Sequence, residues 1–173
     1  MVSLGSVYDS FNAVYKGALA GEFPNEPSLK QAFVEALKFE LSRSPCNKYI
    51  VEHMIFPVLD KVLKGGGKAP VFPDVCFSNV VIEVEAPGDD VGAGRVQLHS
   101  YMEALFKRVE GRAEVLGLVT NGVRAELWVY GSSGPAKVSD GDMPTVAAQL
   151  LHVFCSSKVP VTTPEDLVRI FGV

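Results

Sequence analysis

The sequence predicts a mixed α/β domain, a mixed β-sheet flanked by helices. Three observations predict it. Apolar residues recur at helical spacing early in the chain and again near 95–109; 115–121 is an almost unbroken apolar run; and short strand–turn–strand units centre on Ser78-Asn79 and Asn121-Gly122. The resulting order, helix, strands, helix, strands, helix, is that of one sheet covered by helices.

Residues 6–20 place Val7, Phe11, Val14, Tyr15 and Leu19 at helical spacing, a weakly amphipathic first helix. The loop GEFPNEP is rich in residues that start helices, and a stronger helix is predicted from Ser28 to Ser42, with Leu29, Phe33, Leu37 and Leu41 on one stripe. SRSPCN breaks it, since Pro45 disfavours helix in the residue before it. Tyr49 to Phe56 fits a strand and Pro57 onward a short helical turn. GGGK at 65–68 is a flexible connection. It is not a phosphate loop, because the GxxxxGK[ST] spacing is absent and Ala69 follows the lysine. Val71–Phe77 and Val80–Glu85 read as strands joined by Ser78-Asn79, and 95–109 reads as an amphipathic helix. VLGLVTN at 115–121 suits a strand covered on both faces. Asn121-Gly122 is a strong hairpin turn into ELWVYG at 126–131, where Trp128 and Tyr130 alternate with Val129 as in a half-buried strand. A helix spans 145–155, and TPEDLVRIFG closes the chain with Thr163 as N-cap and Pro164 at the first helical position.

The chain of 173 residues fits a single domain over 1–173, long enough to bury one core. No apolar run approaches the roughly 18 residues of a membrane span, so no membrane partner is expected. The opening MVSLGSVYDSF lacks the basic-then-apolar pattern of a secretory signal, and a cytoplasmic protein is expected. Cys46, Cys76 and Cys155 lack the paired spacing of a zinc site and are expected to be reduced and mostly buried. A formal net charge of −4 speaks against indiscriminate coating of nucleic acid, but leaves room for local basic patches around an acidic metal centre.

The most informative stretch is FPDVCFSNVVIEVEAPG. Side chains alternate along a strand, so Glu83 and Glu85 share one face while Ile82 and Val84 take the other. Asp74 lies in the preceding strand, one tight turn away. Acids crowded together repel one another, and they require cations, shared protons or a metal. Magnesium suits such hard oxygen ligands and would support phosphodiester hydrolysis. The alternative is a solvated strand end whose acids pair with Lys or Arg.

These residues resemble a known pattern. Pro73-Asp74 followed by Glu83-Val84-Glu85 resembles the PD-(D/E)xK nuclease motif, and Gln97 to Tyr101 matches the QxxxY element of some branches. IEVEAPG, QLHSYM and LVTNGVRAELWVY together resemble the N-terminal nuclease domain of type I restriction subunits and of restriction-methylation fusion enzymes. The similarity covers about Pro24 to Tyr130, with order and spacing intact.

The resemblance implies a restriction-endonuclease-like α/β fold with a core at about 24–131, and magnesium-dependent cleavage of DNA, with manganese as a substitute ion. It implies that Asp74 and Glu83 ligate metal with the Val84 carbonyl adding an oxygen, and that Gln97 and Tyr101, one helical turn apart, look into the site. The acid that many members carry in the first core helix would be Glu26, preferred over Glu35 and Glu40, which equally suit solvent. Glu85 stands where the motif has lysine, and Lys61, Lys64, Lys68 or Arg95 would have to replace that cation. An acid there serves as general base or metal contact in some relatives, while other altered triads only bind. The expected function is therefore a restriction-type DNA endonuclease domain, working as a homodimer or with further domains or subunits of a restriction system. The closing helices over 143–173 would lead toward such a domain. The alternative is an inactive nuclease fold that binds nucleic acid or protein. His99 is expected on the helix surface rather than as a base.

Overall fold

The computed structural model describes residues 8–43, 73–108 and 113–156. The expectations for 44–72 (with Cys46, the strand at Tyr49–Phe56, GGGK and Lys61, Lys64 and Lys68) and for the TPEDLVRIFG helix lie outside these residues.

Among the described residues the elements are α1 (Asp9–Leu19), α2 (Glu26–Ser42), β1 (Val75–Phe77), β2 (Val80–Val84), α3 (Gly92–Arg108), β3 (Val115–Thr120), β4 (Arg124–Gly131), β5 (Gly134–Asp142) and α4 (Met143–Ser156). The strands form one mixed sheet in the order β1-β2-β3-β4-β5, so the α/β architecture read from the sequence is the one observed. Only β2 and β3 run parallel; the other neighbours are antiparallel. A parallel pair needs a crossover, and α3 supplies it.

The two faces of the sheet have separate cores. Phe11, Leu29, Phe33, Leu37 and Leu41 of α1 and α2, with Leu150 and Phe154 of α4, bury Phe77, Ile82, Val84, Leu118 and Leu127 on one face. Leu98, Met102 and Leu105 of α3 cover Cys76, Val81, Val115 and Val119 on the other. Strand alternation makes this division: Ile82 and Val84 enter the first core, and Glu83 faces the α3 side.

Helix α2 begins earlier than the hydrophobic stripe suggests. Asn25 is its N-cap, its side-chain oxygen accepting from the Ser28 amide at 3.0 Å, and Pro27 sits in the first turn. Glu26 therefore belongs to the helix. The Asn121-Gly122 turn forms as read: Gly122 takes φ 90, and the Asn121 side chain accepts from the Val123 and Arg124 amides at 3.0 and 2.8 Å.

Strand β5 was not legible. GPAKVSDGD holds Gly, Pro and Asp, residues depleted from strands, and its side chains are mostly exposed. It forms because β4 offers an unpaired edge and a two-residue turn brings the chain back, from Gly131↔Gly134 to Arg124↔Asp142. Of the cysteines, Cys76 is buried and free as expected, whereas Cys155 is disulfide-bonded, against the expectation of a reduced thiol.

Candidate active site

The site is built where β1 and β2 meet the first turns of α2 and α3. Ser78 turns the chain in the left-handed region at φ 48, and the Asn79 side chain is anchored by donating to the Glu114 carbonyl at 2.8 Å. The register Val75↔Ile82 then sets Asp74 across from Glu83. Each carboxylate accepts from the other residue's strand. The Asp74 amide donates to Glu83 Oε1 at 3.2 Å, and the Val84 amide donates to Asp74 Oδ2 at 2.8 Å. The two acids are thus held together by the backbone, with little freedom to separate.

Such a clamp is electrostatically costly. Glu83 is only 4% exposed. Burial first, then the neighbouring Asp74 carboxylate, push its pKa up to about 9, against the smaller opposing pull of the Asp74 amide and Lys30. Glu85 continues the strand by donating its amide to the Thr120 carbonyl at 2.8 Å. Its carboxyl is also raised, by partial burial and then by Glu26, Asp74 and Asp89. It lies against α3 at a glycine that leaves room for it: a Cβ on Gly94 would come within 2.1 Å of Glu85 Oε1. Glu26, at the start of α2, is raised by burial and by Asp74.

Tyr101 and Gln97 approach from α3. Gln97 Nε2 donates to the Tyr101 hydroxyl at 2.8 Å. Burial is the main reason the Tyr101 phenol is pushed up to about 12, with Glu83 and Asp74 adding to it. The hydroxyl is therefore a proton donor at neutral pH, close enough to feel both clamped acids. The structure thus brings Asp74, Glu83, Glu85, Glu26, Gln97 and Tyr101 to one end of the sheet. Val84 contributes backbone only, its side chain being buried in the opposite core. Glu35 is exposed, and Glu40 is buried and accepts from Ser10, so neither belongs to the site.

Two features differ from the sequence reading. Arg95 does not supply the missing cation. Its Nε donates to Glu126 Oε2 at 2.9 Å, and its second nitrogen also contacts that carboxylate, which Trp128 Nε1 caps at 2.8 Å. This pairing holds Glu126 below the usual carboxylate range. His99 is half-buried rather than on the helix surface: it packs edge-on against Trp128 with centroids 4.4 Å apart, and its buried Nε2 has no hydrogen-bond partner among the described residues.

Among the described residues the cation at the site is Lys30, whose Nζ lies 3.0 Å from Asp74 Oδ1. A signal for it existed: Glu26 and Lys30 are four residues apart on one helix, so a site that takes one meets the other. Glu83 and Glu85 pair with no Lys or Arg among the described residues. Nor do three or more described His, Cys, Asp or Glu residues close into a metal-binding group. What is preformed is a pair of carboxylates, Asp74 and Glu83, with further acids around them. Comparison of the chain with protein-family models, curated proteins and solved structures returns no match.

Proposed function

We propose that this chain is a magnesium-dependent DNA endonuclease domain of restriction type, with manganese as a substitute ion. The backbone clamp that fixes Asp74 against Glu83 carries the reading. The donor set fits a hard divalent cation: two adjacent carboxylates with uncompensated acids around them. Magnesium commonly binds through one or two carboxylates and fills its remaining positions with water and phosphate. Asp74 and Glu83 would hold it, with the Val84 carbonyl as a further oxygen. Bound there, the ion supplies polarisation of a phosphoryl oxygen and a lowered pKa for its water.

The chain's own groups do the rest. Glu85, partly exposed and with a raised pKa, takes the proton from the attacking water as its oxygen bonds to phosphorus, and one ester P–O bond breaks with the departing sugar oxygen taking a proton from solvent. Tyr101, held by Gln97, keeps its proton and offers it to a phosphate oxygen. Glu26 adds negative charge at the rim and favours retention of the cation. DNA as partner, a cytoplasmic location and a second copy or further subunits for cutting both strands belong to the same reading. No helix among the described residues is long and apolar enough to cross a membrane.

A second reading, an inactive nuclease fold that binds nucleic acid or protein, is favoured by Glu85 in the lysine position and by Lys30 already neutralising Asp74. Nicking of supercoiled plasmid with magnesium or manganese separates the two. Metal-dependent nicking that disappears in Asp74→Ala and Glu83→Ala supports the nuclease. A folded natural chain that cuts under neither metal favours the binding module, or a domain that cuts only inside a larger enzyme.

A further inference from the structure

We propose that Lys30 is the phosphate-positioning cation of this site, supplying from α2 the positive charge for which β2 has no residue. The inference rests on the nuclease reading and deepens it. Its basis is geometric. Lys30 Nζ sits 3.0 Å from Asp74 Oδ1, while Asp74 Oδ2 is taken by the Val84 amide at 2.8 Å. The carboxylate thereby fixes where the ammonium stands, beside the clamped pair. The Lys30 side chain is 37% exposed and that of Asp74 is 14% exposed, so the ammonium lies at the mouth of the site. An ammonium has three donors, and the contact with Asp74 uses one. A phosphodiester drawn to the carboxylate centre would otherwise meet acids: Glu26 one turn back on α2, Glu85 beyond β2, and Asp89, which lies near enough to both to raise them. Arg95 cannot serve, because Glu126 binds its guanidinium through both nitrogens.

A merely structural role makes a different prediction. A half-exposed ion pair contributes little to stability, so loss of Lys30 would leave the fold nearly unchanged either way. The distinction lies in the phosphate. If the charge matters, it should be transferable to the position where the related motif carries lysine.

The experiment compares the natural chain, Lys30→Met, Lys30→Arg and the double variant Lys30→Met with Glu85→Lys. Each is measured for plasmid nicking, for Mn2+ affinity by calorimetry, and for binding of a fluorescein-labelled DNA duplex in Ca2+ across a salt series. Lys30→Met is expected to lose on the order of 100-fold in nicking, as when one charge-stabilising donor is removed. Its salt slope for duplex binding should fall by about 1, one phosphate contact. Mn2+ affinity should hold or rise, since Asp74 is released. Lys30→Arg should keep most of the activity, and Glu85→Lys should restore the salt slope that Lys30→Met loses but not the nicking, since it removes the base. Nicking and duplex binding at parity in Lys30→Met overturn the inference while leaving the nuclease reading intact. A fall in Mn2+ affinity alongside the lost nicking also overturns it, because Lys30 would then be building the metal site. If the natural chain does not nick at all, a lowered salt slope in Lys30→Met still upholds Lys30 as a phosphate contact and the cleavage reading alone fails.

Discussion

Glu83→Gln tests the electrostatics of the clamp directly, because glutamine copies the shape of the protonated acid and carries no charge at any pH. Its Oε1 can still accept from the Asp74 amide, the 3.2 Å contact made by Glu83. In the unfolded chain a glutamate titrates near its ordinary value of 4.5, whereas burial and Asp74 hold the folded Glu83 far above it. Between these values the native state keeps a proton that the unfolded state has released. Stability is then greatest below the unfolded pKa and is lost as pH rises toward the folded one, at up to about 1.4 kcal/mol per pH unit. The glutamine variant escapes that loss. In EDTA the two proteins should be nearly equal below about pH 4.5, and the variant's lead should grow by up to about 3 kcal/mol between about pH 5.5 and 7.5. Groups not coupled to Glu83 cancel in the difference. Urea unfolding with equal m-values measures it. A difference that stays constant across this range would refute the reasoning, for it would mean that Glu83 is ionised in the native protein. Addition of magnesium should narrow the gap, since only the glutamate binds the ion.

Gly94→Ala places a Cβ within 2.1 Å of Glu85 Oε1 and 3.0 Å of Val119 Cγ2. The glutamate end is flexible and alanine favours helix by up to about 1 kcal/mol, so thermal stability should hold while nicking falls; a drop in Tm beyond about 5 °C would show that the packing, not Glu85, gives way. Glu126→Gln loses the ion pair to Arg95, whose side chain is 40% exposed, and should cost about 1 kcal/mol by urea unfolding at neutral pH. Because Glu126 is held below its usual range, that contribution is present above the ordinary carboxylate pKa and fades as pH falls through the folded value. The fully buried Cys76 thiol, pushed up to about 12 by burial, should resist alkylation at mildly alkaline pH until denaturant unfolds the chain, as peptide mass spectrometry would report; ready labelling of the native protein would contradict its burial.

What the sequence alone determined about this protein is local. The Asn121-Gly122 turn and the alternation along β2 that puts Glu83 and Glu85 on the face opposite Ile82 and Val84 depend on neighbours in the chain, so they are legible there. The helical spacing of Gln97 and Tyr101 is of the same kind, and so is the covered apolar run of β3. Tertiary structure decided the rest, because it turns on pairings between distant segments. Strand β5 exists only because β4 has an edge to fill, against its own composition. Glu126 could have been a site acid by type; it is instead consumed by Arg95 from α3, 31 residues away. His99 is drawn inward by Trp128. Among the described residues the cation beside the carboxylates is Lys30, because packing of α2 against β2 brings its ammonium to Asp74, a distance in space that no spacing along the chain encodes.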